Sequence, residues 1–335
     1  MLVLTITDKE FPVAREVFGQ YEPLAEVEST GAYTLKSCTD AEYIPLVLVQ
    51  AGLRANLSAA DSVTHWVGQF RPQVILVVGT AGGICRPTNA QPPYEWAGPK
   101  RGDVVFSEFV HYAQFIKVTA PKIQMRYQPL EQPSMELSRD AWAVQQETDW
   151  HDLLGSRWDG ATRFPAARRV EILSGDAVQD DPLDPMQQFL MGFFDRAGAT
   201  EMESAGVASR LHAQRMVVHY APLFLTIRGI SDLIWARGPH AELTEEDVRA
   251  ARALDAAATA GAGTLSEPAI VDKTAERDQW SPRAAASASA FAFALTARIV
   301  SKAQATQPGH PAIPPCILRH APTGGLSEHP DSVKP

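Results

Sequence analysis

The segment Gln73–Ile84, QVILVVGTAGGI, constrains the fold more than any other. Val74, Ile75, Leu76, Val77 and Val78 form an unbroken apolar run, too short for a helix and rich in β-branched residues. Such a run predicts a strand covered on both faces. It leads into Gly79-Thr80-Ala81-Gly82-Gly83, which reads as a glycine turn exposing backbone amides to a ligand. Further strands are expected at Leu2–Ile6, Tyr43–Gln50, Gly102–Tyr112, Arg168–Val178 and Ala221–Asp232. Helical spacing lies between them: a helix that follows the first strand and ends near Gly19, one over Asn56–Phe70, one over PMQQFLMGFFDRA, and one after ATEMESAG. A long C-terminal helix is expected over SPRAAASASAFAFALTARIVSK. Alternating strands and helices predict an α/β fold with both sheet faces covered.

The chain of 335 residues can bury a large core. Three segments exceed a minimal domain: about 85–101, 114–167 and 238–279, the last read as one surface helix plus linker. One domain over 1–303 is expected, followed by a Pro-rich tail over 304–335 that reads as disordered. The net charge is −9, and no basic run interleaves with aromatics, so no nucleic-acid partner is expected. Cys38, Cys85 and Cys316 are widely spaced, suiting neither a disulfide framework nor a metal site. His65, His111 and His151 are scattered, and no metal is expected. The first residues lack a basic region, and no apolar stretch approaches membrane-spanning length. A cytoplasmic protein without a membrane partner is the expectation.

Three carboxylates stand beside apolar strands. Glu10, in TDKEF, follows the first strand and suits a general base, or simply an acidic first helical turn. Asp232, in IRGISD, ends a buried strand, where ligands bind in α/β sheets, and suits a proton donor, a helix cap or a partner of Arg228. Glu201 and Glu203 flank Met202 ahead of a helix, where a dipole alone explains acidic side chains.

Taken in order, TDKEF, VVGTAGG, RGDVV, SGDA, EMESA and RGISD resemble the nucleoside phosphorylase/nucleosidase superfamily, in particular its methylthioadenosine/S-adenosylhomocysteine nucleosidase-like branch. The resemblance spans about Leu2 to Lys302. It implies a central mixed, partly barrel-like sheet flanked by helices in three layers. It also implies a homo-oligomer, with a dimer favoured, and no cofactor. It implies that Thr80, Ala81 and Gly82 line the ribose and the nucleophile, and that Met202 packs on the sugar. By the same resemblance Glu203 binds the 2′- and 3′-hydroxyls, Asp232 assists N7 of the leaving purine beside Ser231, and Glu10 activates water. Glu201 and Asp176 are read as structural. Val178 stands where the family carries a stacking aromatic, so stacking has to come from elsewhere, with Tyr112 and Phe115 as candidates. His111 and Tyr112 are expected at the pocket mouth.

The implied activity is hydrolysis of the N-glycosidic bond of a purine nucleoside. Phosphorolysis is the first alternative. The phosphorylases' Gly-Asp-Pro-x-Arg element is replaced here by Thr7-Asp8-Lys9-Glu10-Phe11, and an acid in that place favours water over phosphate. A nucleotide substrate, AMP or ATP, is the second alternative. Lys117, Lys122, Arg126, Arg157, Arg163, Arg168 and Arg169 would serve its phosphates. A catalytically silent nucleoside sensor is the third.

Overall fold

The computed structural model describes residues 1–20, 22–36, 46–90, 93–119, 122–159, 161, 163–177, 183–236, 244–259 and 273–306. Most strands belong to one mixed sheet. They are β1 (Leu2–Thr5), β2 (Leu24–Glu26), β3 (Tyr33–Leu35), β4 (Val47–Gln50), β5 (Val74–Pro87), β6 (Trp96–Ala97), β7 (Val104–Tyr112), β10 (Ala167–Ser174), β11 (Ala197–Glu201) and β12 (Leu223–Trp235). The order is β11-β10-β7-β12-β5-β1-β4-β3-β2, with β6 added on β5. At one end β11 returns to pair antiparallel with β5 through Ala199–Gly83 and Thr200–Gly82, which closes part of the sheet into a barrel. β8 (Ile116–Thr119) and β9 (Lys122–Met125) form a separate hairpin.

Helices cover both faces. On one side α1 (Glu10–Phe18), α3 (Met135–Gln146), a 3-10 segment (Asp149–Trp158) and α7 (Lys273–Thr306) share a core with Val3, Leu76, Phe106 and Leu225. On the other, α2 (Asn56–Phe70) and α5 (Ser204–Val218) pack on Leu4, Val49, Ile75 and Phe224. Successive residues of β5, such as Ile75 and Leu76, thus enter opposite cores, which is why that strand reads as continuously apolar. The remaining helices, α4 (Pro185–Phe193) and α6 (Glu245–Thr259), lie toward the C-terminal ends of the long strands. Their boundaries follow local chemistry. Asp184 accepts from the Gln187 amide at 2.7 Å with Pro185 in the first turn, and Arg71 closes α2 in the left-handed conformation just before Pro72.

The structure corrects the expected layout in four places. The glycine segment is not a turn: β5 runs straight through Gly79–Gly83 to Pro87. Small residues are needed there for close approach, because β11 crosses at Gly82–Gly83 and β12 lies alongside. Likewise β12 does not end at Asp232 but continues to Trp235. Segment 114–167 holds the hairpin, α3 and the 3-10 segment, and α3 and the 3-10 segment join the main core. Finally, α7 begins at Lys273, well before Pro282, and residues 307–335 lie outside the described residues.

By length and composition Ala275–Ala303 of α7 would suffice to cross a membrane, contrary to the expectation that no such stretch exists. Its most apolar window is 72% buried inside the fold, so its apolarity serves core packing. Ala284 to Ala292 pack tightly enough that the Ala284 backbone abuts Gly229 of β12, where a Cβ would collide with it.

Candidate active site

A cavity of about 350 Å³ opens where β1, β5, β11 and β12 meet the start of α7. Its wall includes Glu10, Thr80, Ala81, Gly82, Met202, Glu203, Ser231 and Asp232, so the strand motifs converge on one space.

Glu10 is the first residue of α1 and is buried. Its Oε2 accepts from the Thr7 amide at 2.9 Å, and Thr7 Oγ1 accepts from the Glu10 amide at 3.2 Å, which fixes the helix start. Its Oε1 accepts from both the amide and the hydroxyl of Thr80, each at 2.7 Å. Three donors occupy a carboxylate with roughly four acceptor sites, leaving one for a molecule in the cavity.

On β12 the register shifts between Ile230 and Asp232, an irregularity that re-aims side chains. Asp232 lies opposite Gly82. Ser231 Oγ donates to Asp232 Oδ1 at 2.7 Å, and Arg277 of α7 reaches Asp232 Oδ2 at 3.4 Å.

The two acids around Met202 divide their tasks. Glu201, at the end of β11, accepts from the Glu203 and Ser204 amides and the Ser204 hydroxyl, so it caps α5. It also bonds directly to Arg228 Nη2. Glu203, relieved of capping, accepts among the described residues only a long 3.4 Å bond from Ala55 N–H and stands 3.4 Å from Arg228 Nη2. Burial pushes its carboxyl up to about 7. Arg228 pulls it back, while Glu201 and Glu10 push it further up. Ala55 holds φ at 80°, a strained value for a residue with a Cβ, beside this acid.

Sequence reasoning saw Arg228 only as a partner for Asp232. It is fully buried, and Glu201, not Asp232, is its bonded acid. Burial disfavours its cation, but Glu201, Glu203 and Glu10 more than offset that and hold its pKa above the ordinary arginine value. Its Nε and Nη1 have no hydrogen-bond partner among the described residues. Nη1 lies against Gly79, where a Cβ would fall on it and 3.0 Å from Glu10 Oε1. The signal was available: a charged residue within LFLTIRGISDLIW needs buried partners.

Other residues sit apart from the expectations. His111 bonds Glu171 at 2.8 Å, Tyr112 gives its hydroxyl to Asp176 at 2.5 Å, and Phe115 is exposed; none lines the cavity. His111 turns instead onto the Phe194 ring. Asp176 also accepts from Asn56 Nδ2 at 2.8 Å. Val178 lies outside the described residues. The basic residues considered for phosphates also miss the cavity, since Lys117, Arg126, Arg157, Arg163, Arg168 and Arg169 do not line it. Glu16 takes Arg157, Asp103 takes Arg163 and lies near Arg168, and Glu108 takes Arg169. Lys122 sits on β9. Thr7, Lys9, Arg54, Ala177, Ile234, Arg277, Asp278 and Ser281 line the cavity unforeseen. Among the described residues no group of three or more His, Cys, Asp or Glu is placed to hold a metal ion.

No protein-family model matches the chain. Two curated methylthioadenosine/S-adenosylhomocysteine nucleosidases are each 26% identical. The Bacillus licheniformis protein aligns over 190 residues, 56% of this chain and 68% of its own. The Geobacillus kaustophilus protein aligns over 198 residues, 57% and 68%. Among solved structures, the corresponding nucleosidase of Neisseria meningitidis, in complex with methylthio-immucillin-A, superposes with a TM-score of 0.53 at 18% identity, covering 89% of this chain and 98% of that one. Futalosine hydrolase of Helicobacter pylori superposes with a TM-score of 0.54 at 15% identity, covering 88% and 95%. Sheet order, partial closure and these likenesses define a nucleoside phosphorylase/nucleosidase-type α/β protein. The chain resembles that superfamily, and the curated relatives it matches are methylthioadenosine/S-adenosylhomocysteine nucleosidases.

Proposed function

We propose that the protein is a purine nucleosidase, an enzyme that hydrolyses the N-glycosidic bond of a purine nucleoside or nucleoside derivative to free base and sugar. The observation that carries the assignment of roles is that Glu10, Glu203 and Asp232 share one cavity, with Thr80 fixing Glu10 through two hydrogen bonds. A water held at the free acceptor site of Glu10 attacks C1′, and Glu10 takes its proton. The C1′–N9 pair passes into the purine, and Asp232, oriented by Ser231, meets N7 by hydrogen bond or proton transfer. Arg277 adds positive charge where the departing base collects negative charge. Met202 packs on the sugar, and Glu203 accepts from its two hydroxyls. We further read it as a cytoplasmic homo-oligomer, a dimer by preference, in line with the branch it resembles.

The test is liquid chromatography of the base released from methylthioadenosine, adenosylhomocysteine, adenosine, inosine and AMP in phosphate-free buffer. Free base is expected without phosphate, and strict phosphate dependence would overturn hydrolysis. Tight binding without any base release would make the protein a sensor. Removing the 2′-hydroxyl is expected to cost most of the activity, and indifference to it would return Glu203 to a structural role.

A further inference from the structure

The nucleosidase reading leaves the group on C5′ unnamed, and the mouth of the cavity bears on it. Three cations line this wall: Lys9 after β1, Arg54 after β4 and Arg277 on α7. The acid among them at the rim is Asp278, which takes Lys9 at 2.7 Å. That hydrogen bond, then the charges of Lys9, Arg277 and Arg54, hold the Asp278 carboxyl below its ordinary range, so Arg54 is close enough to be felt there. No described carboxylate stands within ion-pair distance of Arg54, which is exposed. Lys9 answers Asp278 and Arg277 answers Asp232, so among the described lining residues Arg54 brings a positive charge to the opening that no ion pair with a described carboxylate offsets.

The sugar's orientation says which substituent meets that charge. Glu203 is the acceptor for the diol, and Ala55, the residue after Arg54, donates to Glu203. C5′ is bonded to C4′, the neighbour of C3′, so a group on C5′ leaves the ribose beside the hydroxyls that Glu203 holds. Arg54 flanks that exit, and Lys9 flanks Glu10 across the cavity. An apolar 5′ group finds little there. The apolar lining among the described residues is Ala81, Ala177, Met202 and Ile234, and the sugar and base take up Met202, Ala81 and Ile234.

We infer that the 5′ substituent of the substrate is anionic, a phosphate monoester in the simplest case, held by Arg54 with Lys9. A planar guanidinium suits a tetrahedral phosphate, and Lys9 can exchange Asp278 for it without leaving the rim. The hydrolysis is unchanged: water adds to C1′, the purine leaves, and the product is a sugar 5-phosphate.

The experiment compares kcat/KM for AMP, adenosine and methylthioadenosine in the wild type and in Arg54→Ala and Arg54→Glu. AMP is expected to exceed adenosine by roughly tenfold or more, as for one hydrogen bond to a charged group. That ratio is expected to fall toward one in Arg54→Ala and below one in Arg54→Glu, and to shrink with added salt. Ribose 5-phosphate is expected to inhibit more strongly than ribose. Methylthioadenosine as the best substrate, with an AMP-to-adenosine ratio indifferent to Arg54, would overturn the anionic subsite and leave the nucleosidase standing. No base from any of the three would instead sink the nucleosidase reading beneath it.

Discussion

Glu203 stands 3.4 Å from Arg228 Nη2, while Glu201 takes the same nitrogen in a direct hydrogen bond. One buried cation thus serves two acids unequally. The strand-end acid is neutralised and caps a helix, and the other keeps acceptor capacity for the cavity. That inequality separates two glutamates that look alike in EMES.

Because burial pushes the Glu203 carboxyl up to about 7, its ionised, diol-accepting form is lost as pH falls through that value. We expect kcat/KM to rise with pH through about 7 and this limb to vanish in Glu203→Gln. Stability runs the other way. The folded protein holds a proton that the unfolded chain has released, so stability falls, by on the order of 1–3 kcal/mol, as pH rises from the ordinary glutamate value of 4.5 to about 7. The melting-temperature gain of Glu203→Gln over wild type is expected to be larger near pH 8.5 than near pH 5.5, since only the wild type then carries the buried charge. Equal gains at both values would contradict the raised pKa.

Glu10→Gln keeps the shape of the side chain but loses the base. A fall in kcat of about 10²–10⁴-fold with little change in ligand affinity is expected, read by steady-state kinetics and calorimetric titration. Thr80→Val removes one of the two bonds that aim Glu10, and a smaller loss, confined to kcat, is expected.

Asp232→Asn is expected to slow natural purine nucleosides by about 10²–10⁴-fold. A riboside whose leaving group departs without protonation should lose far less. Equal losses on both substrates would show that Asp232 acts in folding or binding instead.

Gly79→Ala tests the contact between β5 and β12. Its Cβ would displace Arg228 Nη1 or Glu10, and a displacement near 1 Å costs about 10²-fold in activity. The loss is expected in a protein that still folds, judged by far-UV circular dichroism. Activity within twofold of wild type, roughly the scatter of such assays against that 10²-fold expectation, would contradict the close packing.

Much of this site could be read from the chain because its acids follow apolar strands within a few residues. Glu10, Glu203 and Asp232 all line the one cavity, as their motifs suggested. The glycine segment was harder. Small residues chosen for close approach leave the same letters as small residues chosen for a turn, and only the neighbouring strands distinguish them. Pro282 hid the first turns of α7, and with them Arg277 and Asp278. His111 and Tyr112 misled because the acids that take them, Glu171 and Asp176, are distant in sequence. The basic residues of the insertions misled for the same reason, since Glu16, Asp103 and Glu108 already claim four of them.

Strands β5 and β12 hold one wall of the cavity between them, yet Ser231 and Ala81, in contact across it, are 150 positions apart. A ribosome must pass Trp235 before β5, already paired with β1, can be flanked along its length by β12, and pass Ser281 before the cavity has its last side. Until then the chain carries Glu10 and the glycine strand without the side of the cavity that β12 and α7 supply. A fragment that stops short of Ser281 therefore lacks part of the cavity's lining.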